Sequence, residues 1–223
     1  MCGKFTTKAS WTEIVNFIWS TPVGDPEDKT ITRRVTDDLQ VIVLEGGERR
    51  VMPMRWGFPD VQDWRRPKPI HARSETIDTT KAFAQPFRDG QRGIVLMKSF
   101  NEAPDVEGPV VQHIVTPGDE PALAAAFVWR RYDIAGLQRP LFACVLATVP
   151  ANQLLATLPT DRMPAFLAPE DWAKWLGENP ANLDEVKACL RTVEGVRWTM
   201  TREERAKTAR RGKPTVSGPA GLF

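Results

Sequence analysis

Nineteen prolines scattered through 223 residues exclude a helical bundle. Proline lacks the backbone donor that a helix interior needs and clashes with the preceding turn. Between the prolines lie short β-rich runs, namely Gly93–Met97, Val110–Val115, Ala126–Arg130 and Phe142–Thr148. Leu39–Glu45 and Arg49–Met54, separated by Gly46-Gly47, carry the pattern of a two-stranded hairpin. Helices are expected at three places. Ser10-Trp11-Thr12-Glu13 is a capping box ahead of Ile14, Phe17 and Ile18, which predicts a helix over about 10–20. Pro169-Glu170-Asp171 opens a second before Trp172, Trp175 and Leu176, and Leu183–Leu190 reads as a third.

A chain of this length can bury a sizeable core within one domain. Its hydrophobic (42%) and charged (26%) fractions are those of a soluble globular protein. No apolar run approaches the roughly 18 residues that a membrane helix requires. The opening residues, MCGKFTTK, lack the apolar segment of a signal peptide, so the expected location is the cytoplasm, with no membrane partner. Charge is concentrated locally. Residues 49–73 hold seven Lys/Arg against Asp60 and Asp63, and residues 201–223 hold six against Glu203 and Glu204. Any polyanion must therefore meet a local patch, because the net charge is only +2. The last twenty or so residues read as a basic, flexible extension, which sets expected boundaries at 1–200 for the domain and 201–223 for the tail.

Three widely spaced cysteines, Cys2, Cys144 and Cys189, cannot form a disulfide framework, and two histidines, His71 and His113, give no zinc-ligand spacing. No metal or cofactor is expected. Cys144 and Cys189 fall in apolar surroundings and read as core thiols, and His113 reads as structural. Cys2 differs. Removal of Met1 would leave it with a free α-amine and a thiol on one carbon skeleton. The amine titrates near about 7.7–8.0 and the thiol near about 8.5, so both nucleophilic forms exist at neutral pH. An amine that attacks an aldehyde gives an imine, and the neighbouring thiolate can close onto it as a five-membered thiazolidine. The chemistry points to aldehydes or to acyl transfer.

Several separated segments, in order, resemble the motifs of one family. They are MCGKF at the start, RWGFP at 55–59, ARSET at 72–76, Phe100 with Glu102 in SFNEAP, TVPAN at 148–152 and DRMP at 161–164. Together they are similar to the SRAP family of SOS-response-associated peptidases, whose members process abasic sites. The resemblance spans about residues 1–190. It implies an α+β fold, a single SRAP-like domain with a central β-barrel-like antiparallel/mixed sheet flanked by short helices. It also implies a monomer acting on single-stranded DNA containing abasic sites, whose ring-opened aldehyde the mature N-terminal cysteine traps.

Carried over by position, the resemblance makes Cys2 the nucleophile and Glu102 the general acid and base of ring closure. Arg73 would grip a phosphate beside the lesion. Lys4 stands where arginine is usual, which keeps charge and loses the bidentate fork. Trp56, beside Arg55, is either the aromatic that supports bases next to the lesion or a core tryptophan. Arg162 and Met163 match a segment near the active site, where Arg162 meets either a phosphate or a carboxylate such as Asp161.

Two positions depart from the family pattern. His71 occupies the place of an asparagine before Ala-Arg-Ser, and it can donate, accept and titrate near neutrality. Thr160 replaces a histidine linked in the family to proton transfer, and threonine carries no proton at neutral pH. His71 is therefore expected to take over acid–base work. Two other readings stay open: a non-catalytic single-stranded DNA binder, and an N-terminal-nucleophile cysteine peptidase limited to removing its own Met1.

Overall fold

The Gly46-Gly47 turn forms as its residues demand. In the computed structural model, which describes residues 3–7, 31–103, 111–118, 122–194 and 197–203, both glycines take positive φ (62° and 83°). Glu45 then faces Glu48 across a two-residue loop. Positive φ at both central positions is the requirement of a type I′ hairpin turn.

Strand β1 covers Lys4–Thr7 and β2 Ile31–Arg34, and the hairpin is β3 (Asp38–Glu45) with β4 (Glu48–Trp56). Next come β5 (His71–Arg73), β6 (Arg92–Met97), β7 (Ser99–Glu102) and β8 (His113–Pro117). Two ten-residue strands follow, β9 (Leu123–Tyr132) and β10 (Leu141–Pro150). The short β11 (Arg162–Pro164) and β12 (Phe166–Leu167) precede β13 (Trp198–Arg202).

Pairing of β10–β4, β4–β3, β3–β6, β6–β9 and β9–β10 closes a ring, a five-stranded barrel in which only the β4–β10 contact is parallel. Closure removes the unpaired edges an open sheet would leave. A second, five-stranded sheet runs in the order β13-β8-β7-β1-β2. The two sheets share one stretch of chain: β6 lies in the barrel, β7 in the second sheet, and only Lys98 separates them. At that switch the Lys98 amide donates to Thr6 O at 2.9 Å, which ties β1 to the bend.

Every residue of β6 and β7 is buried, as expected for strands covered on both faces. Short helices pack at the barrel's end. Arg92 is buried and its guanidinium donates to the carbonyls of Phe87 (2.7 Å) and Trp175 (2.5 Å), binding helices Ala84–Arg88 and Trp172–Leu176 to the start of β6. Leu183–Lys187 begins with a full capping box between Asn182 and Glu185, and it ends before the expected Leu190. The expected α+β architecture, a barrel-like mixed sheet with short flanking helices, is the one observed.

Differences from expectation concern boundaries. The strand expected at Val110–Val115 lies at His113–Pro117, because its register is set by Glu102 on one side and Arg202 on the other. The last strand runs through Arg202, past the boundary expected at 200. The helix expected over about 10–20 and the basic extension beyond Glu203 lie outside the described residues.

The RWGFP segment is the scaffold for the loop that leads into β5. Gly57 has φ 103°, and a Cβ there would stand 2.4 Å from Pro67 Cβ. Its amide donates to Cys144 O at 2.7 Å, and Phe58 and Pro69 bond alongside. Gly57→Ala should lower stability by about 2–4 kcal/mol, combining backbone strain with a collision that must be relieved. Urea denaturation measures it.

Candidate functional site

Antiparallel pairing of β1 with β7 matches Phe5 to Phe100 and Thr6 to Ser99. Continued toward the chain's start, this register sets Glu102 opposite Gly3, the residue bonded to Cys2. Cys2 itself lies outside the described residues. Glu102 has no solvent exposure.

Aromatic contacts extend this neighbourhood. Phe5 lies 4.8 Å from Trp56 between ring centroids, and Trp56 lies 6.4 Å edge-on from His71. His71 and Arg73 alternate with the buried Ala72 on β5 and so share one face. A second group gathers around Thr148, which pairs with Arg73 on one side and Pro164 on the other. Arg73 keeps 59% of its side chain exposed and has a loose 3.9 Å ion pair with Asp161.

The remaining candidates point elsewhere. Of the two readings open for Trp56, burial matches the core tryptophan: it is fully buried, and its indole N–H donates to Ile70 O at 3.2 Å. It fills the space between the barrel and β1 and offers no open face. Arg55 is also buried. Its guanidinium donates to the carbonyls of Trp64 (2.6 Å) and Arg65, and burial lowers its pKa against the opposing charges of Asp38 and Asp63. Met163 packs inward.

Arg162, for which phosphate and carboxylate partners were both open, takes a carboxylate, and that carboxylate is Glu75. Its Nη1 and Nη2 bind the two Glu75 oxygens, the second at 2.9 Å, while Nη2 also donates to Thr148 O at 2.5 Å. The Arg162 hydrogen bonds hold the Glu75 carboxyl below the usual carboxylate range, with burial opposing. Lys4 Nζ pairs with Glu203, joining β1 to the residue after β13. The Thr160 hydroxyl donates to Arg162 O at 3.4 Å, a local turn contact. Cys144 and Cys189 are buried thiols. Burial raises both, Cys144 well above and Cys189 to about 11, so neither supplies a thiolate near neutral pH.

The register also brings in a residue that the sequence reading set aside. His113 on β8 is directly opposite Glu102 on β7, and Arg202 on β13 is directly opposite His113. Glu102, His113 and Arg202 thus form one row across the second sheet, their side chains on one face. Nothing in the local sequence signals this, since a strand's register is set by its partners.

The model of the family described as SOS response associated peptidase (SRAP) matches residues 1–205. The chain is 26% identical over 194 residues to the abasic site processing protein YoqW of Bacillus subtilis (strain 168), spanning 82% of this chain and 83% of that one. It is 27% identical over 192 residues to the abasic site processing protein YobE of the same organism, spanning 82% and 84%. Among solved structures, a Bacteroides thetaiotaomicron protein superposes with TM-score 0.77 at 18% identity, covering 92% of this chain and 93% of that one. A Bordetella bronchiseptica protein superposes with TM-score 0.75, also at 18% identity, covering 91% and 100%. These likenesses establish the fold.

The Glu75–Arg162 pair carries a pH signature. Because the folded-state pKa of Glu75 is depressed, its stabilisation is full above the unfolded value of about 4.3 and is lost as pH falls through the lower folded value. Glu75→Gln should cost about 1–2 kcal/mol at pH 7, a figure reduced because 49% of the Glu75 side chain meets solvent. In urea titrations the gap between wild type and variant should shrink below about pH 4.

Proposed function

The chain belongs to the SOS response associated peptidase (SRAP) family, and on that premise we propose that it processes abasic sites in single-stranded DNA by capturing their aldehyde on Cys2. The observation that carries this reading is the register of β1 on β7, which sets the buried Glu102 opposite Gly3. The relatives named abasic site processing proteins support the substrate class.

In the proposed reaction, removal of Met1 frees the Cys2 amine. Its nitrogen bonds to C1′ of the ring-opened sugar, and the amine gives up a proton as the carbonyl oxygen gains one. Glu102 then protonates the carbinolamine hydroxyl, which leaves as water, and the nitrogen releases its remaining proton, so that an imine remains. The Cys2 sulfur adds to the imine carbon while the thiol proton passes to the nitrogen. The sum is one aldehyde, one amine and one thiol giving one thiazolidine and one water. Arg73, exposed and loosely held by Asp161, would meet a phosphate. His71, on the same face of β5, would orient the sugar or the cysteine and supply acid–base capacity in place of Thr160. Lys4, next to Gly3, is already paired with Glu203 and adds little net charge near the strand.

Incubating protein of confirmed Cys2 N-terminus with an abasic single-stranded oligonucleotide tests the proposal, with intact mass as readout. Wild type should gain the mass of the oligonucleotide less one water. Cys2→Ala should gain none, and Glu102→Gln should form the adduct about 10²–10⁴-fold more slowly. Absence of an adduct from the wild-type protein would overturn the proposal. Salt-sensitive binding indifferent both to the abasic site and to Cys2→Ala would favour a binding-only paralogue.

A further inference from the structure

Resting on the proposed use of Glu102 as acid and base, we propose that His113 is a positioning residue that shares a proton with Glu102 across β7 and β8. Three observations carry it. His113 and Glu102 are directly opposed in the antiparallel ladder, which puts their Cβ atoms about 4.5–5.5 Å apart on one face. The two side chains are not hydrogen-bonded directly, and at that spacing an imidazole and a carboxylate meet through one water. The Nδ1 atom of His113 is buried and makes no hydrogen bond in the structure, although buried polar atoms are almost always bonded. Glu102 has no exposure, so its charge has to be balanced from within the protein.

The charged groups facing His113 from the neighbouring strands, among the described residues, are Glu102 on β7 and Arg202 on β13. On its own strand the next residue on that face is the apolar, buried Val115. Glu102 and Arg202 thus flank His113 with charges of opposite sign. The pair then exists either as imidazolium with carboxylate or as imidazole with carboxylic acid. Passage between the two moves one proton from nitrogen to oxygen and leaves the total unchanged. Glu102 can thus be reprotonated after giving its proton to the departing hydroxyl, without waiting for solvent to reach a buried site.

Two measurements test the pair. The protein has only two histidines, so a His71→Asn variant assigns the imidazole resonances, and the titration midpoint of His113 can be followed by NMR with and without Glu102→Gln. Losing the carboxylate should lower that midpoint by about one unit, and an unchanged midpoint would overturn the proposal. The second measurement is the adduct-forming rate of wild type relative to His113→Gln from pH 6 to 8.5. The pair can hold its shared proton only toward the acid end, and without His113 the buried Glu102 has to be reprotonated by solvent, so the ratio should rise from near one at the alkaline end to about tenfold at pH 6. His113→Lys, which keeps a positive charge but releases no proton near neutral pH, should not recover the low-pH rate, and its recovery would overturn the proposal. A ratio independent of pH is the result of a merely structural role and would overturn the proposal. If wild type forms no adduct at all, the proposed function fails, and the NMR titration still decides the His113–Glu102 pair.

Discussion

Pairing of β1 with β7 is the constraint on which the rest of the candidate site depends. A four-residue strand contributes little by itself, since short strands are stable only when packed against larger structure. What holds β1 is the bend at Lys98, where the chain leaves the barrel for the second sheet and its amide grips Thr6 O. Phe5 adds the apolar anchor by packing on Trp56 and, at 6.4 Å between centroids, on Phe127. The head of β1 is thereby held along β7 close to the buried Glu102.

Seen this way, the arginine and tryptophan of RWGFP serve geometry. Arg55 satisfies two carbonyls of the following loop, Trp56 backs β1, and Gly57 admits Pro67. That loop ends at β5, whose three residues present His71 and Arg73 on a common face. Arg162 has the same character, since its fork is spent on Glu75 and Thr148 and so fixes β11 against the segment after β5. Of the basic candidates read from the motifs and described in the structure, Arg73 keeps most of its guanidinium toward solvent. Electrostatic contact with a polyanion therefore rests on fewer side chains than the count of basic residues suggests.

Much of the barrel was legible because its signals are local. A Gly-Gly pair between apolar runs specifies a two-residue turn, and the long apolar stretches around Phe142–Thr148 and Ala126–Arg130 became β10 and β9. The short strands β1, β5, β7 and β11 were not legible, since three or four residues carry no periodicity and their pairing is tertiary. The site follows the same division. Glu102 and Arg73 could be named from motif position, but motif position does not say which way a side chain points. Trp56 and Arg162 consequently turned out to be interior. His113 could not be singled out at all, because only the register places it across from Glu102.

The central claim is that the strand register brings Cys2 chemistry to Glu102, so that the aldehyde is captured by the chain's first mature residue. Fragmentation mass spectrometry of the trypsin-digested adduct tests this most directly, since cleavage after Lys4 releases a peptide of Cys2, Gly3 and Lys4. The account predicts that Met1 is absent and that the sugar remnant maps to Cys2, held through both its nitrogen and its sulfur. A remnant carried on a lysine side chain, or a Cys2 peptide recovered unmodified from crosslinked protein, would contradict it.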